Sequence, residues 1–142
     1  NWLSAEDVKT VAEIVDGQGS GKEIVARIFV CPNPDTETVR KEAKRAIAAY
    51  LNVPVYRAFH EWLGRTDQLQ DHWDRWDQGD RAGSLDVMPD NVVDELVVHG
   101  TPEECRNHID RYLENGVTTA ALMIMPFGGI DPVQAIRDLA PR

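Results

Sequence analysis

The feature that most constrains the fold is a helix signal followed by a glycine stop and an apolar strand, near the carboxyl terminus. Thr101 is placed to cap the helix, Pro102 suits its first turn, and Glu104 completes a T-x-x-E capping box. Gly116 follows where a left-handed residue ends a helix. Residues 120–126 are apolar without polar alternation, which predicts a parallel strand buried on both faces. The segment therefore predicts an αβ unit inside a larger sheet.

The first residues of the chain predict the end of another strand. Asn1-Trp2-Leu3 stands directly before Ser4, and Ser4 with Asp7 forms a plausible capping box for a helix from Ala5 to Val15. An apolar pair at a helix cap is typical of the last residues of a strand, so we expect the chain to begin at the end of a strand. A processed terminus on a complete small domain is the alternative.

Strand and helix signals alternate between these two ends of the chain. A strand is predicted at Ile24–Val30, and Pro32 ends it. Further helices are predicted, from apolar spacing, at 36–51, 65–86 (with Leu69, Trp73 and Trp76 inward), 90–98 and 132–140. Strands that alternate with helices indicate the α/β class.

The chain is too short to close such a sheet by itself. It has 142 residues and two whole predicted strands, whereas an eight-fold barrel takes about 250 residues. We therefore predict that residues 1–142 form a single partial domain, the C-terminal part of a (β/α)8 TIM barrel. It would run from the end of strand six to the final helix, with a helical excursion after strand seven.

Composition excludes several partner classes. The net charge is -9 and no cluster of Lys or Arg offsets it, which argues against nucleic-acid and anionic-membrane partners. No apolar run is long enough to span a bilayer. Cys31 and Cys105 lie far apart and outside any C-x-x-C pair, so we expect reduced structural thiols in a cytoplasmic protein.

Two further patterns resemble ligand sites but have simpler interpretations. Residues 16–22 have the glycines of a phosphate loop, but Glu23 follows Lys22 and the context is helix to strand, so a turn is predicted. Four aspartates accompany His72 within residues 71–80, at a spacing that matches no calcium loop. A solvated acidic helix is expected there, and no metal site is predicted.

Two groups of residues are candidates for a functional site. The densest aromatic cluster consists of Tyr50, Tyr56, Phe59, His60 and Trp62. It would either form a core or subunit contact, or lie above a barrel mouth, and the sequence favours neither.

The second group follows the two predicted strands, where barrel active sites are built. Its members are Cys31, Asn33, Met125, Phe127, Gly128 and Gly129. The Gly128-Gly129 pair before a helix could receive a phosphate, and a simple glycine turn is the plainer interpretation.

Three segments together resemble the luciferase-like flavin- and deazaflavin-dependent oxidoreductases. Residues 50–56 match a Y-x-x-x-P-x-Y stretch, with Phe59 and Leu63-Gly64 following it. Residues 98–117 resemble the family's late G-T-P-E-E segment, and residues 1–4 resemble the segment that closes its sixth strand. The segments occur in the family's order and cover nearly the whole chain.

The resemblance implies an oxidoreductase or monooxygenase that uses coenzyme F420, or alternatively FMN, for hydride transfer or oxygenation of a small organic substrate. It also implies that the catalytic residues and most cofactor contacts lie upstream of Asn1, so no catalytic or cofactor-binding residue is assigned here. Tyr50, Tyr56, Phe59 and Trp62 would shape the substrate pocket. A homo-oligomer is expected. The alternative is a non-catalytic α/β module for partner binding or self-assembly.

Overall fold

The computed structural model describes residues 1–16 and 21–141, so most of the glycine-rich turn predicted at 16–22 lies outside the described residues. The described elements are α1 (Ala5–Asp16), β1 (Val25–Cys31), α2 (Thr36–Leu51), α3 (Pro54–Trp62), α4 (Thr66–Asp77), α5 (Arg81–Asp86), α6 (Asp90–Leu96), β2 (Val97–His99), α7 (Pro102–Glu114), β3 (Thr119–Ile124) and α8 (Pro132–Leu139). A single 3-10 turn, Phe127–Gly129, precedes α8.

The chain divides into two compact units. The first, here called the sheet unit, consists of Asn1–Val39 and Glu95–Arg142. The second, here called the helical unit, is Arg40–Asp94. Over the described part of the chain, no helix has both the length and the apolar character that crossing a membrane requires.

The sheet has three parallel strands in the order β2-β1-β3. The two strands predicted from the sequence, β1 and β3, are direct neighbours, with Cα partners running from Val25↔Thr119 to Val30↔Ile124. The α/β class is therefore confirmed. Asn1–Ser4 form no strand, and β2 lies at the other side of β1.

Helices cover one face of this sheet and create the core of the sheet unit. Ile28, Val30 and Val98 point to this face and are at most 2 % exposed. They form one cluster with buried residues of α1, α7 and α8, namely Ala5, Val8, Cys105, Ile109, Tyr112 and Leu139. Burial of apolar area at about 25 cal/mol per Å² makes this cluster the main stabilising contribution of the unit.

The opposite face of β3 corrects one prediction. We expected residues 120–126 to be buried on both faces, but β3 alternates between exposed and half-buried residues. Thr119, Ala121 and Met123 are exposed because, in the described part of the chain, helices pack against one side only. An apolar run predicts that a strand can be buried on both sides, but it does not say what covers the second side.

A third strand replaces the end of a predicted helix. The sequence favoured helix from Asp90 to Val98, whereas α6 ends at Leu96 and β2 occupies Val97–His99. Val97 and Val98 are fully buried and pair with Phe29 and Val30. A short apolar run fits either state by periodicity, and here the free edge of β1 favours the extended one.

Both predicted capping boxes are present. The Ser4 hydroxyl accepts from the Asp7 backbone N–H at 3.0 Å, and the Asp7 carboxylate accepts from the Ser4 N–H at 2.7 Å. Thr101 and Glu104 form the same reciprocal pair at the start of α7. These caps satisfy N–H groups that a helix start leaves without partners, which is why both helices begin where the sequence indicates.

In the helical unit, the predicted helix over 65–86 is broken into α4 and α5. Gly79 has φ +85, and Asp80 caps α5 by accepting from the Gly83 N–H at 2.9 Å. Leu69 and Trp73 are buried, as their spacing predicted. The Trp73 indole N–H donates to the Leu51 carbonyl at 3.0 Å, which ties α4 to the end of α2.

His72 is also buried, although the sequence suggested a solvated helix face. Its Nδ1 lies 2.7 Å from the Ser84 carbonyl, and its Nε2 lies 2.9 Å from the Asn52 amide nitrogen. A carbonyl only accepts, so Nδ1 carries the hydrogen and Nε2 accepts from Asn52. The neutral ring therefore joins α4 to α5 and to the residue after α2. Burial lowers the pKa of His72, although the hydrogen bond to Ser84 opposes this shift.

We predict that the helical unit loses stability when the pH falls below about 6.5, the ordinary pKa of histidine. Because the folded-state pKa is lowered, the contribution of His72 is complete above the unfolded-state pKa and decreases as the pH falls through it. Hydrogen exchange of the α4 and α5 amides at pH 7.5 and 5.5 measures this loss. The His72→Gln variant should show a smaller difference between the two pH values, whereas His108→Gln, in the sheet unit, should behave as the parent chain does. Equal pH sensitivity of His72→Gln and the parent chain would contradict the prediction.

Candidate functional site

The residues that follow the three strands meet at one end of the sheet, because parallel strands end at the same edge. We call this the carboxyl edge. It comprises Cys31, Asn33, His99, Gly100, Met125, Phe127, Gly128 and Gly129. All six positional candidates that the sequence suggested are therefore brought together, and His99 and Gly100 join them through the unpredicted strand β2.

Asn33 connects the ends of all three strands. Its backbone carbonyl accepts from the Gly100 N–H at 3.2 Å, after β2. Its side-chain amide donates to the Phe127 carbonyl at 3.2 Å, after β3. Its side-chain oxygen accepts from the Asp35 N–H at 2.9 Å and closes the turn after β1. One side chain and its own backbone thus hold three loops in register.

The turn after β3 requires glycine at two positions. Gly128 and Gly129 have φ +69 and +73, a region that other residues rarely adopt. A Cβ on Gly128 would lie 2.5 Å from the Asn33 amide nitrogen, whereas a Cβ on Gly129 would meet nothing within 4 Å. The Asn33 amide thus occupies the space beside Gly128, and the backbone at Gly129 is open to approach.

The two cysteines are structural thiols at or near this edge. Neither forms a disulfide within the described residues, and both are buried. Cys31 Sγ donates to the Phe127 carbonyl at 3.7 Å, beside the Asn33 bond to the same oxygen. Burial raises the pKa of Cys105 to about 12. At that pKa Cys105 stays protonated at neutral pH, so it is not a nucleophile.

An aromatic pair lies on the sheet face opposite the core, near the carboxyl edge. The Trp2 and Phe29 rings stack with centroids 3.7 Å apart and an interplanar angle of 6°. Trp2 is 1 % exposed and has φ 56, an uncommon backbone conformation for an aromatic residue. From the sequence, Trp2 was interpreted only as an apolar residue before a helix cap, so this pair was not predicted.

Two features of the carboxyl edge bear on ligand binding. The backbone at Gly129 is open to approach, whereas the Trp2 and Phe29 rings are buried against each other. The helix that follows is a poor phosphate site because Asp131 accepts from the Val133 N–H at 2.9 Å and places a carboxylate there. The structure thus favours the plainer glycine-turn interpretation.

A separate cavity of about 520 Å³ lies between α7, β3 and α8. It is lined mainly by apolar residues, with Arg106 and Asp110 at its wall. Ala120 and Leu122, which form its floor, belong to the helix-covered face of the sheet. The cavity therefore lies away from the carboxyl edge. Enzymes with parallel sheets bind their ligands at the carboxyl edge.

The four predicted substrate-pocket residues form two contacting pairs in the helical unit. Tyr50 and Tyr56 meet edge to face, with centroids 5.7 Å apart, and Phe59 stacks on Trp62 at the same distance. Tyr50 is 43 % and Trp62 is 54 % exposed, so these rings offer surface to a ligand or a partner. His60 is fully buried, so it does not contribute to that exposed surface. Their substrate role stays a prediction.

Comparison with known families identifies one match. Residues 4–119 match the family described as luciferase-like monooxygenase. The match begins at Ser4, includes the aromatic surface and the G-T-P-E-E segment, and ends at the start of β3. No similar curated protein and no similar solved structure was found.

The contact between Asn33 and Gly128 predicts a coupled pair of substitutions. Gly128→Ala should destabilise the chain by about 1–3 kcal/mol, because both the positive φ and the clash oppose it. Gly129→Ala should cost less, about 1–2 kcal/mol, since its Cβ meets no atom. In the Asn33→Ala background the cost of Gly128→Ala should fall towards that of Gly129→Ala, with a remainder from the 3.2 Å approach to the Thr38 methyl group. Urea denaturation of the six chains measures this, and additive costs in the double variants would count against the clash.

Proposed function

Since the chain belongs to the luciferase-like monooxygenase family, we propose that it forms the C-terminal part of a (β/α)8 barrel in an oxidoreductase that uses F420 or, alternatively, FMN. The reaction is hydride transfer to, or oxygenation of, a small organic substrate. The family match over residues 4–119 is the observation that carries the proposal. The tyrosine-proline-tyrosine stretch at 50–56 favours F420 over FMN.

The architecture of the sheet unit supports this proposal. Its strands are parallel, helices cover one face, and the glycine turn lies at the carboxyl edge, as in the wall of a barrel. A bound isoalloxazine or deazaflavin ring supplies the hydride or oxygen chemistry. The residues of this chain would orient and shield such a ring: Asn33 would hold the turn, Gly129 would permit close approach, and Trp2 with Phe29 would keep water from the sheet.

We assign the substrate side of the pocket to Tyr50, Tyr56, Phe59 and Trp62. The rings of Tyr50 and Trp62 are exposed and those of Tyr56 and Phe59 are half-buried, and such paired rings suit apolar contact with a small organic molecule. The catalytic groups would then come from other parts of the barrel, and no residue of this chain is assigned a proton-transfer role. A cytoplasmic homo-oligomer without nucleic-acid or membrane partners completes the proposal.

One observation favours a second candidate function, a non-catalytic α/β module that binds a partner or assembles with itself. The sheet face opposite the core exposes apolar residues, including Val25 at 58 % and Met123 at 45 %. Exposed apolar patches of this kind mark interaction surfaces. In the barrel this face points inward, whereas in a module it would be the binding surface.

Intact mass and cofactor content of the gene product, isolated from its source cells, distinguish the two functions. The barrel enzyme requires a polypeptide much heavier than this chain, and it should bind F420 or FMN at about 1:1 in a fluorescence titration. A product of this length that binds neither cofactor would overturn the oxidoreductase proposal and favour the non-catalytic binding module.

We predict that Tyr56→Ala and Phe59→Ala each raise KM for the substrate about three- to tenfold, with a smaller effect on kcat. Each substitution removes apolar contact that the bound substrate and the transition state share. Val55→Ala is the matched control, because Val55 lies on the same helix, is 70 % exposed and makes no ring contact. Steady-state kinetics of the cofactor-loaded enzyme measure these values. Unchanged KM in both aromatic variants would remove the pocket assignment.

A further inference from the structure

The sheet face opposite the core carries a positive charge among apolar residues. We call this the open face, and it consists of Val25, Arg27, Thr119, Ala121 and Met123, all of which are exposed. Arg27 is central, because its Cα partner in β3 is Ala121 and Val25 lies two residues before it on the same face. The small Ala121 leaves space beside Arg27 for its long side chain.

Arg27 has no carboxylate beside it. Within residues 1–16 and 21–141, no ion pair of Arg27 is formed. Glu23, at the amino end of the same face, accepts from the Thr119 hydroxyl at 2.7 Å. Thr119 is the Cα partner of Val25, so this carboxylate is held one side-chain row, about 7 Å along the strand, from the row of Arg27.

This arrangement restricts what can cover the open face. Val25 and Met123 favour an apolar partner, but covering them also removes water from the Arg27 guanidinium. A guanidinium does not lose its proton in proteins, so it must be paired when it is buried. The covering surface must therefore be apolar around one carboxylate, which can accept two parallel hydrogen bonds from the arginine.

A second copy of this chain does not meet that requirement. A two-fold contact centred on the open face would place the same patch on both sides and set Arg27 against Arg27. Like charges opposed at an interface are strongly unfavourable. The charge of the open face thus disfavours self-assembly through it.

We infer that the open face of the sheet binds a layer of parallel strands that presents an Asp or Glu carboxylate to Arg27. The inference rests on the barrel in the proposed function, in which this face points into the barrel interior. The two strands meet the layer through side-chain rows, Val25–Thr119 and Arg27–Ala121, as the inward layers of a barrel do. Arg27 is a positioning residue in this arrangement and takes no part in the reaction.

The test uses the complete gene product and its Arg27→Met variant, with thermal unfolding at pH 8 and pH 5. At pH 8 the variant should unfold about 10 °C below the parent protein, because it leaves a buried carboxylate without its partner. At pH 5 the difference should shrink to about half, since the unpaired carboxylate has a raised pKa and is neutralised by a proton. Loss of packing alone would give a deficit that is independent of pH.

Two further variants keep the test decisive. Arg27→Gln retains a hydrogen-bond donor, so it should fold where Arg27→Met does not and should show a smaller deficit of the same pH dependence. Arg45→Met is the matched control, because Arg45 is an exposed arginine in the helical unit and its loss should leave both unfolding temperatures unchanged.

Three outcomes would overturn the inference: Arg27→Met as stable as the parent, a deficit equal at both pH values, or an unfolding temperature of the parent that rises with protein concentration and loses this dependence in the variant. The last would assign the carboxylate to a second copy. The test is separate from that of the proposed function. If the protein binds neither F420 nor FMN but Arg27→Met shows the pH-dependent deficit, the carboxylate partner of Arg27 is supported and the oxidoreductase function is overturned.

Discussion

Asn33 makes the hydrogen bonds on which the carboxyl edge depends. Parallel strands cannot be joined by tight hairpins, so their ends are fixed only by what the loops after them contact. Here the loops after β2 and β3 both bond to the residue that follows β1. The glycine at 128 follows from this arrangement, because the Asn33 amide fills the space that a side chain there would need. A polar residue at a strand end thus specifies the register of the whole edge.

Local signals predicted much of this fold, because caps and glycine stops act within a few residues of themselves. Ser4 with Asp7 and Thr101 with Glu104 form the boxes that their spacing indicates, and Gly116 has the left-handed backbone expected after α7. The strand β2 was not predictable in this way. Its three residues become extended because a distant strand, β1, offers an edge, and no local pattern encodes that edge.

The candidate site shows the same division between local and distant causes. The rule that ligands bind beyond the carboxyl ends of parallel strands selected Asn33 and Gly128 correctly as neighbours. It could not select Trp2, whose position depends on stacking with Phe29, 27 positions further along. His72 was assigned to a solvated surface because its sequence neighbours are acidic, whereas contacts with Asn52 and Ser84 bury it. Burial of a single polar residue is set by tertiary partners.

The placement of the tryptophans has a spectroscopic consequence. Of the four in the chain, Trp62, Trp73 and Trp76 lie in the helical unit, and Trp2 is the one in the sheet unit. Replacing the other three with phenylalanine would leave an emission that comes from Trp2 alone, blue-shifted by burial and sensitive to its stacking on Phe29. The protein thus contains its own optical probe, by which ring-shaped ligands that absorb in the near ultraviolet could be followed through energy transfer without an added label.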